Sequence, residues 1–262
     1  MTRVLVTGAT GSIGQHLIPA LIARGDEVHV ISRSPDKVRG FSWGKDIAVH
    51  EIDFWDNDAV RKLYTEIKPE EIYHLAASLR QWGNTAGIEV LTRVNVLGTA
   101  TLLEALEVIP EARFVYAGSF AELRGNAKPI SEEQIPQPEE FYGITKHAGT
   151  LGALQLARNK KYNTVVARCF TAYGPGMQKE RLIAQIVSKS LHGEDITLTD
   201  PEVSRDFIYV TDIVECVLEL GKRAEELRGE IFNVASGKRT TLGKLSQLIL
   251  KLTQSKSKIV WQ

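Results

Sequence analysis

Residues 4–14 read VLVTGATGSIG, and this run limits the possible folds more than any other stretch of the chain. Val4, Leu5, Val6 and Thr7 make a short apolar strand pattern that breaks at Gly8, and an amphipathic helical spacing of Leu17, Leu21 and Ile22 follows. A strand turning through glycines directly into a helix is predicted. Gly8 permits the tight turn, Gly11 keeps a Cβ away from an approaching pyrophosphate, and Gly14 lets helix and strand pack closely. The helix start leaves backbone N–H groups free to face an anion. Placed between the first strand and the first helix, the GxxGxxG spacing reads as a dinucleotide cradle, with Thr10, Ser12 and Ile13 of the same turn among its contacts.

Short β-branched runs alternate with helical spacings through the first two thirds of the chain. Strand patterns fall at 3–7, 27–32, 47–52, 71–76, 113–117 and 164–170, and helical patterns at 12–24, 56–67, 87–106 and 141–159. This βαβ rhythm predicts an α/β fold, a Rossmann-type doubly wound parallel sheet between two helical layers. Beyond Pro175 the alternation weakens into helices near 181–192, 210–221 and 241–252 with short strands around Ile196 and Phe207. A cofactor-binding domain over 1–175 and a smaller substrate-binding lobe over 176–262 are therefore expected.

At 262 residues and 43% hydrophobic, the chain can bury a substantial core. Its 32 basic and 32 acidic residues cancel, so no overall field draws it to nucleic acid or to an anionic membrane. Cys169 and Cys216 have no CxxC or Cys/His spacing and are expected as buried thiols, with no metal site. No apolar leader precedes the first strand, and a cytoplasmic location is expected.

The second strand ends at Ser32-Arg33-Ser34, where a NAD-selective site usually carries an acidic residue against the ribose 2′-hydroxyl. A guanidinium there suits a 2′-phosphate, which points to NADP with NAD as the alternative; a solvated loop arginine is the other reading. Asp53, followed by Phe54, ends the third strand pattern, where a carboxylate accepts well from an adenine amino group, while Asp56 is the more natural helix cap. Tyr142 and Lys146 lie four apart at the start of a helical pattern and so share a face. A phenol titrates near 10, and a close ammonium lowers such a value by roughly 1 to 3, which would let Tyr142 exchange protons near neutrality. Moving hydride to or from a carbinol carbon needs such a partner at oxygen.

With these residues in view, the chain resembles an extended short-chain dehydrogenase/reductase of the NAD(P)-dependent epimerase/dehydratase family, which modifies nucleotide-linked sugars. The resemblance spans nearly the whole chain through TGATGSIG (7–14), HLAAS (74–78), NVLGT (95–99), YGITK (142–146), RCFTAYGPG (168–176), RDFIYVTD (205–212) and FNVASG (232–237). It implies that Ala76, Ala77 and Ser78 line the ribose side of the cofactor. It also implies that Lys146 holds the nicotinamide ribose, that Phe170 lies near the nicotinamide, and that Arg205 grips the substrate diphosphate. Asn95 is read as structural. A homodimer through the helices near 87–106 and 141–159 is a further expectation of the family.

Departures from the family pattern qualify this reading. The family's catalytic Ser or Thr stands five residues before a glycine, and counting back from Gly125 lands on Phe120, so a one-residue shift is needed for Ser119 to assist Tyr142. Arg124 replaces the usual tyrosine, and Thr171 the usual substrate-side asparagine. Glu122 falls where one dehydratase acid would and is assigned to the substrate side as a potential base. Residues after FNVASG are few, which reads as a reduced lobe or a cut chain. The leading expectation is an NADP-linked reductase of a keto group, at C4, of a nucleotide-linked sugar, with Tyr142 as general acid and Lys146 as its tuner. A nucleotide-sugar 4-epimerase with tightly held NAD is the rival. A dehydratase and a non-catalytic cofactor-sensing protein follow.

Overall fold

The structure is a computed structural model that describes residues 1–79, 85–125 and 129–262. Its first half contains β1 (Arg3–Thr7), α1 (Gly14–Ala23), β2 (Glu27–Ile31), α2 (Pro35–Arg39), β3 (Ala48–His50), α3 (Asn57–Ile67), β4 (Glu71–His74), α4 (Thr85–Leu91), α5 (Gly98–Glu104) and β5 (Arg113–Ser119). There follow α6 (Phe141–Asn159), β6 (Asn163–Cys169), β7 (Thr171–Tyr173), α7 (Leu182–His192), β8 (Ile196–Leu198) and β9 (Ser204–Tyr209). Last come α8 (Val210–Arg223), β10 (Ile231–Val234), β11 (Arg239–Thr241), α9 (Leu242–Thr253) and β12 (Ile259–Trp261).

Seven parallel strands form one sheet in the order β10-β6-β5-β4-β1-β2-β3. Strands such as β4 and β6, buried along their whole length, have helices against both faces, as parallel sheets require. One apolar cluster joins Val4 and Val6 of β1 to Leu17 of α1 and Val214 and Val217 of α8. A second joins Leu5 to Val60 of α3, Leu102 of α5 and Ala153 of α6. The alternating residues of β1 thus face opposite helical layers, the doubly wound arrangement expected from the sequence.

Strand order reverses between β1 and β4, because the chain runs outward through β2 and β3 before returning to β4 and β5. A crevice at the carboxyl ends of these two strands is where open α/β sheets bind ligands.

Three features depart from the sequence expectation. The helix expected over 87–106 is interrupted by a π-helical turn at Thr92–Leu97, which delivers Asn95 to the interior. The expected boundary at 175/176 is crossed twice, since α8 and β10 return to the large sheet because their apolar residues complete its core. The remaining small sheets, β11-β9-β7 and β12-β8, build the lobe with α7 and α9 over Ile186, Ile196, Leu245 and Ile249. Cys169 is buried as expected, whereas Cys216 is only half-buried, and both thiols are free.

Asp56 takes the capping position and accepts from the Ala59 N–H at 3.1 Å. Asp56→Ala is expected to lower stability by about 1 kcal/mol, read as a fall in the urea midpoint at unchanged slope.

Candidate functional site

The glycine turn sits at the carboxyl end of β1. Gly8 has φ +78°, and a Cβ there would lie 2.6 Å from the Ala76 nitrogen, so the turn rests directly on the chain leaving β4. Thr7 reinforces that contact: its Oγ1 pairs with His74 Nδ1 at 2.6 Å and accepts from the Ala76 N–H at 3.2 Å. Gly14 lies against the Gly8 carbonyl and Ala9, close enough that any Cβ would meet backbone. No side chain caps α1 at Ile13; the Gln15 and His16 N–H groups bond the Gly11 and Ile13 carbonyls, which leaves those of Ser12, Ile13 and Gly14, among the described contacts, for another acceptor. Thr10, Ser12 and Ile13 are half-buried along this turn and Gly11 is exposed. A cradle open to solvent and lined by backbone N–H groups fits a pyrophosphate.

On the neighbouring edge, exposed Arg33 lays its guanidinium 5.1 Å from the centroid of the Trp55 ring. Asp53 is exposed and lies beyond β3 rather than within it, because that strand ends at His50. Phe54 turns its ring into the core, edge-on to His74 at 5.7 Å and over Gly98.

Ala76, Ala77 and Ser78 continue from β4, half-buried. Asn95 holds this segment in place, its Oδ1 accepting from Ser78 N–H at 2.7 Å and its Nδ2 donating to Ser78 O at 3.1 Å. The same amide donates to Thr145 Oγ1 at 3.0 Å, and Thr145 donates to Tyr142 O at 2.8 Å. One buried network through Asn95 therefore ties the segment after β4 to the first turn of α6.

Tyr142 and Lys146 lie one turn apart on α6. The strand leading to them runs two residues further than its sequence pattern, and β5 pairs Gly118 with Arg168 and Ser119 with Cys169. That extension carries Ser119 to the strand end, where its hydroxyl is near enough to the Tyr142 side chain to pull the phenol's titration down. Phe120 instead packs on Phe170, with ring centroids 5.9 Å apart. Ser119 and not Phe120 meets Tyr142.

The electrostatics differ from the expected tuning. Burial dominates at Tyr142 and pushes its phenol up to about 12, against the Ser119 hydroxyl and the charge of Arg181, which pull it down. Lys146 is 2% exposed; its ammonium lies 4.2 Å from the Tyr116 ring centroid. Burial pulls Lys146 down to about 8, opposed chiefly by the charge of Glu122. The phenol is thus held protonated at neutral pH. Cys169, beside this group, is pushed up to about 12 by burial and is a poor nucleophile.

Glu122, assigned from sequence to the substrate side, is 0% exposed and bound by protein donors. Thr171 is half-buried in β7, opposite Phe207 of β9. Arg205 is exposed on β9 and donates only to the Ser204 carbonyl among its described contacts. Its neighbour Asp206 accepts from both Ser236 N–H and Ser236 Oγ at 2.8 Å, joining the RDFIYVTD and FNVASG segments. Sequence reasoning missed Arg181, the pairing of His74 with Thr7 and Thr99, and Tyr116 beneath Lys146. His74 lay inside the HLAAS motif, the only signal available for it.

Residues 4–235 match the NAD dependent epimerase/dehydratase family. The chain belongs to that family. It is 28% identical over 268 residues to a GDP-6-deoxy-D-mannose reductase of Pseudomonas aeruginosa, a match covering 98% of this chain and 82% of that protein. It is 25% identical over 259 residues to the human dTDP-D-glucose 4,6-dehydratase, covering 95% of this chain and 73% of that one. Its fold superposes on a UDP-glucuronic acid 4-epimerase from Bacillus cereus, solved with UDP-glucuronic acid and NAD, at a TM-score of 0.89, with 23% identity over 99% of this chain and 86% of the other. As a member of this family the chain is an enzyme with the extended short-chain dehydrogenase/reductase architecture. No helix among the described residues is long and apolar enough to cross a membrane.

Proposed function

We propose that this protein is a cytoplasmic, NADP-linked oxidoreductase that reduces a keto group, at C4, of a nucleotide-linked sugar. The observation that carries the reading is the Ser119–Tyr142 pair, with a phenol held protonated at neutral pH, on the same sheet edge as the glycine cradle. The nicotinamide supplies the hydride when bound. Tyr142 donates the proton to the carbonyl oxygen while Ser119 fixes the direction of the phenol and of that oxygen. Lys146 holds the nicotinamide ribose and keeps a positive charge beside the site. Gly8, Gly11 and Gly14 take the pyrophosphate, Ala76, Ala77 and Ser78 the ribose side, and Phe170 the nicotinamide face. Asp53 faces the adenine, with Phe54 contributing backbone.

Arg33 supports NADP over NAD because a guanidinium spread on Trp55 is pre-oriented for a 2′-phosphate. Arg205, which has no carboxylate partner among the described residues, suits the sugar diphosphate, and Thr171 is the second residue assigned to the substrate side. The reductase from Pseudomonas aeruginosa supports the reaction class. Two free thiols accord with a reducing compartment. Exposed Ile144 and Leu151, two helical turns apart on α6, and exposed Leu97 at the end of the π-helical turn that packs on α6 support a homodimer through these helices.

Purified protein given NADP and GDP-6-deoxy-D-mannose is expected to form NADPH, running the reductase backwards. Arg33→Ala should weaken NADPH binding about 10- to 100-fold, the loss of one charge-assisted contact, and leave NADH binding within about twofold. A dinucleotide that survives desalting, with no consumption of added NADPH on any keto sugar, would instead establish the 4-epimerase reading.

A further inference from the structure

The buried carboxylate of Glu122 has no part in the reading above, yet it is the most heavily partnered acid near the site. It closes the single 3₁₀ turn Phe120–Glu122 that follows β5. Its Oε1 accepts from Ser119 N–H at 2.7 Å, while Ser119 Oγ accepts from Ala121 N–H at 3.2 Å. Two donors are thereby satisfied reciprocally, as in a helix capping box. Its Oε2 accepts from Thr150 Oγ1 at 2.8 Å and stands 3.7 Å from Nη2 of Arg168. His147 Nδ1 lies 3.5 Å away and has no closer partner among the described residues.

These contacts come from three separate elements. Thr150 and His147 belong to α6, the helix that carries Tyr142, and Arg168 to β6, itself 1% exposed and reaching Asn233 of β10. Gly118 makes the approach possible, since a Cβ there would come 2.7 Å from Glu122 Oε1. Gly143 lets α6 press against the carbonyl of Ala121 in the same turn. With 0% exposure, no atom of Glu122 can touch a substrate. Whatever it contributes to turnover must pass through a neighbour, and the neighbour it grips is Ser119.

We propose that Glu122 is the positioning residue of this site: its carboxylate locks the turn so that the Ser119 hydroxyl meets Tyr142, and it neither binds substrate nor acts as a base. The proposal rests on the reading of Tyr142 and Ser119 as the proton-donating pair. Burial alone would favour the neutral acid, but the nearby His147 ring, the hydrogen bonds from Ser119 N–H and Thr150 and the charge of Arg168 hold Glu122 below the usual carboxylate range. The group is a fixed anion at neutral pH, and its field also reaches Lys146, Tyr142, Tyr116 and Cys169.

Glu122→Gln keeps an oxygen for Ser119 N–H but removes the charge and places an amide opposite Arg168 and His147. In the full chain, assayed with GDP-6-deoxy-D-mannose and NADP, it is expected to lower kcat about 10- to 30-fold with KM and NADPH affinity within about twofold. In a Ser119→Ala background the same change should alter kcat less than about twofold, because the step it serves is already gone. The alkaline limb of the rate profile should move to lower pH, since Glu122 is the acid that opposes the burial of Lys146.

A measurement that needs no substrate runs beside these: the Ser119 amide should exchange with deuterium at least about tenfold faster in the variant. Should Glu122→Gln fold poorly, Thr150→Val removes one donor while leaving the charge, with a smaller loss of the same kind that Thr150→Ser restores. Losses that multiply in the double variant, a tenfold KM change at constant kcat, or unchanged Ser119 exchange would overturn the proposal. Full activity of Tyr142→Phe would overturn the catalytic reading instead. Crippled Tyr142→Phe and Ser119→Ala beside fully active Glu122→Gln would overturn the positioning role alone.

Discussion

Tyr142→Phe is expected to reduce kcat about 10³-fold while leaving NADPH affinity and melting temperature within error. The substitution removes one oxygen whose described side-chain partner is the Ser119 hydroxyl. The ring remains, so packing at the start of α6 is kept, and Thr145 still binds the Tyr142 backbone carbonyl at 2.8 Å. What disappears is the proton donor to the carbonyl oxygen, and general acid catalysis of this kind contributes about 10² to 10⁴ in rate. The upper part of that range applies because neither of the other ionisable groups described near Tyr142 can take its place: Glu122 is sealed in protein and Lys146 is 2% exposed. Steady-state kinetics and NADPH titration by fluorescence check both halves of the expectation. Equal losses in kcat and in NADPH affinity would mean that the phenol binds cofactor and transfers no proton.

Gly14→Ala is expected to cost about 2 to 3 kcal/mol of stability and to weaken NADPH binding at least about tenfold. The added Cβ would overlap the Gly8 carbonyl and lie 2.7 Å from Ala9 Cα. Both are backbone atoms of the turn, so no rotamer change relieves the contact, and α1 must lift from β1. Leu17 and Leu21 of α1, both fully buried, would be displaced with it. For a domain of this size the loss corresponds to a fall of roughly 5 to 10 °C in melting temperature. Gly152→Ala in α6 is the contrast, since its Cβ would meet only the tip of Leu103 at 3.4 Å. That variant should gain about 0.5 to 1 kcal/mol from helix propensity and keep its cofactor affinity. If both variants melt alike, close packing at Gly14 is not what the glycine provides.

Both substitutions fall on motifs readable in the sequence, and so did most elements of the sheet. The strand pattern at 3–7 and the helical pattern at 141–159 coincide with β1 and α6. Residues missed or misassigned share one property: their meaning lies in contacts distant along the chain. Phe54 looked like a cofactor neighbour by position, yet its ring fills the space over Gly98. The 87–106 pattern is continuous in sequence, yet the π turn opens it so that Asn95 can bind Ser78, 17 positions away, and Thr145, 50 positions away. An ammonium four residues from a phenol suggested mutual tuning, but Lys146 lies over Tyr116 and burial governs Tyr142.

The sequence by itself determined the glycine cradle, the parallel order of strand and helix, and the Tyr142–Lys146 pair, because backbone freedom, hydrophobic period and helical spacing are local properties of the chain. Tertiary structure alone decided that Ser119 and not Phe120 meets Tyr142, and that Glu122 is a buried anion bound to Thr150, 28 positions away. Solvent exclusion and the partners of a buried charge are set by segments that meet only when the sheet closes, and no local pattern encodes them.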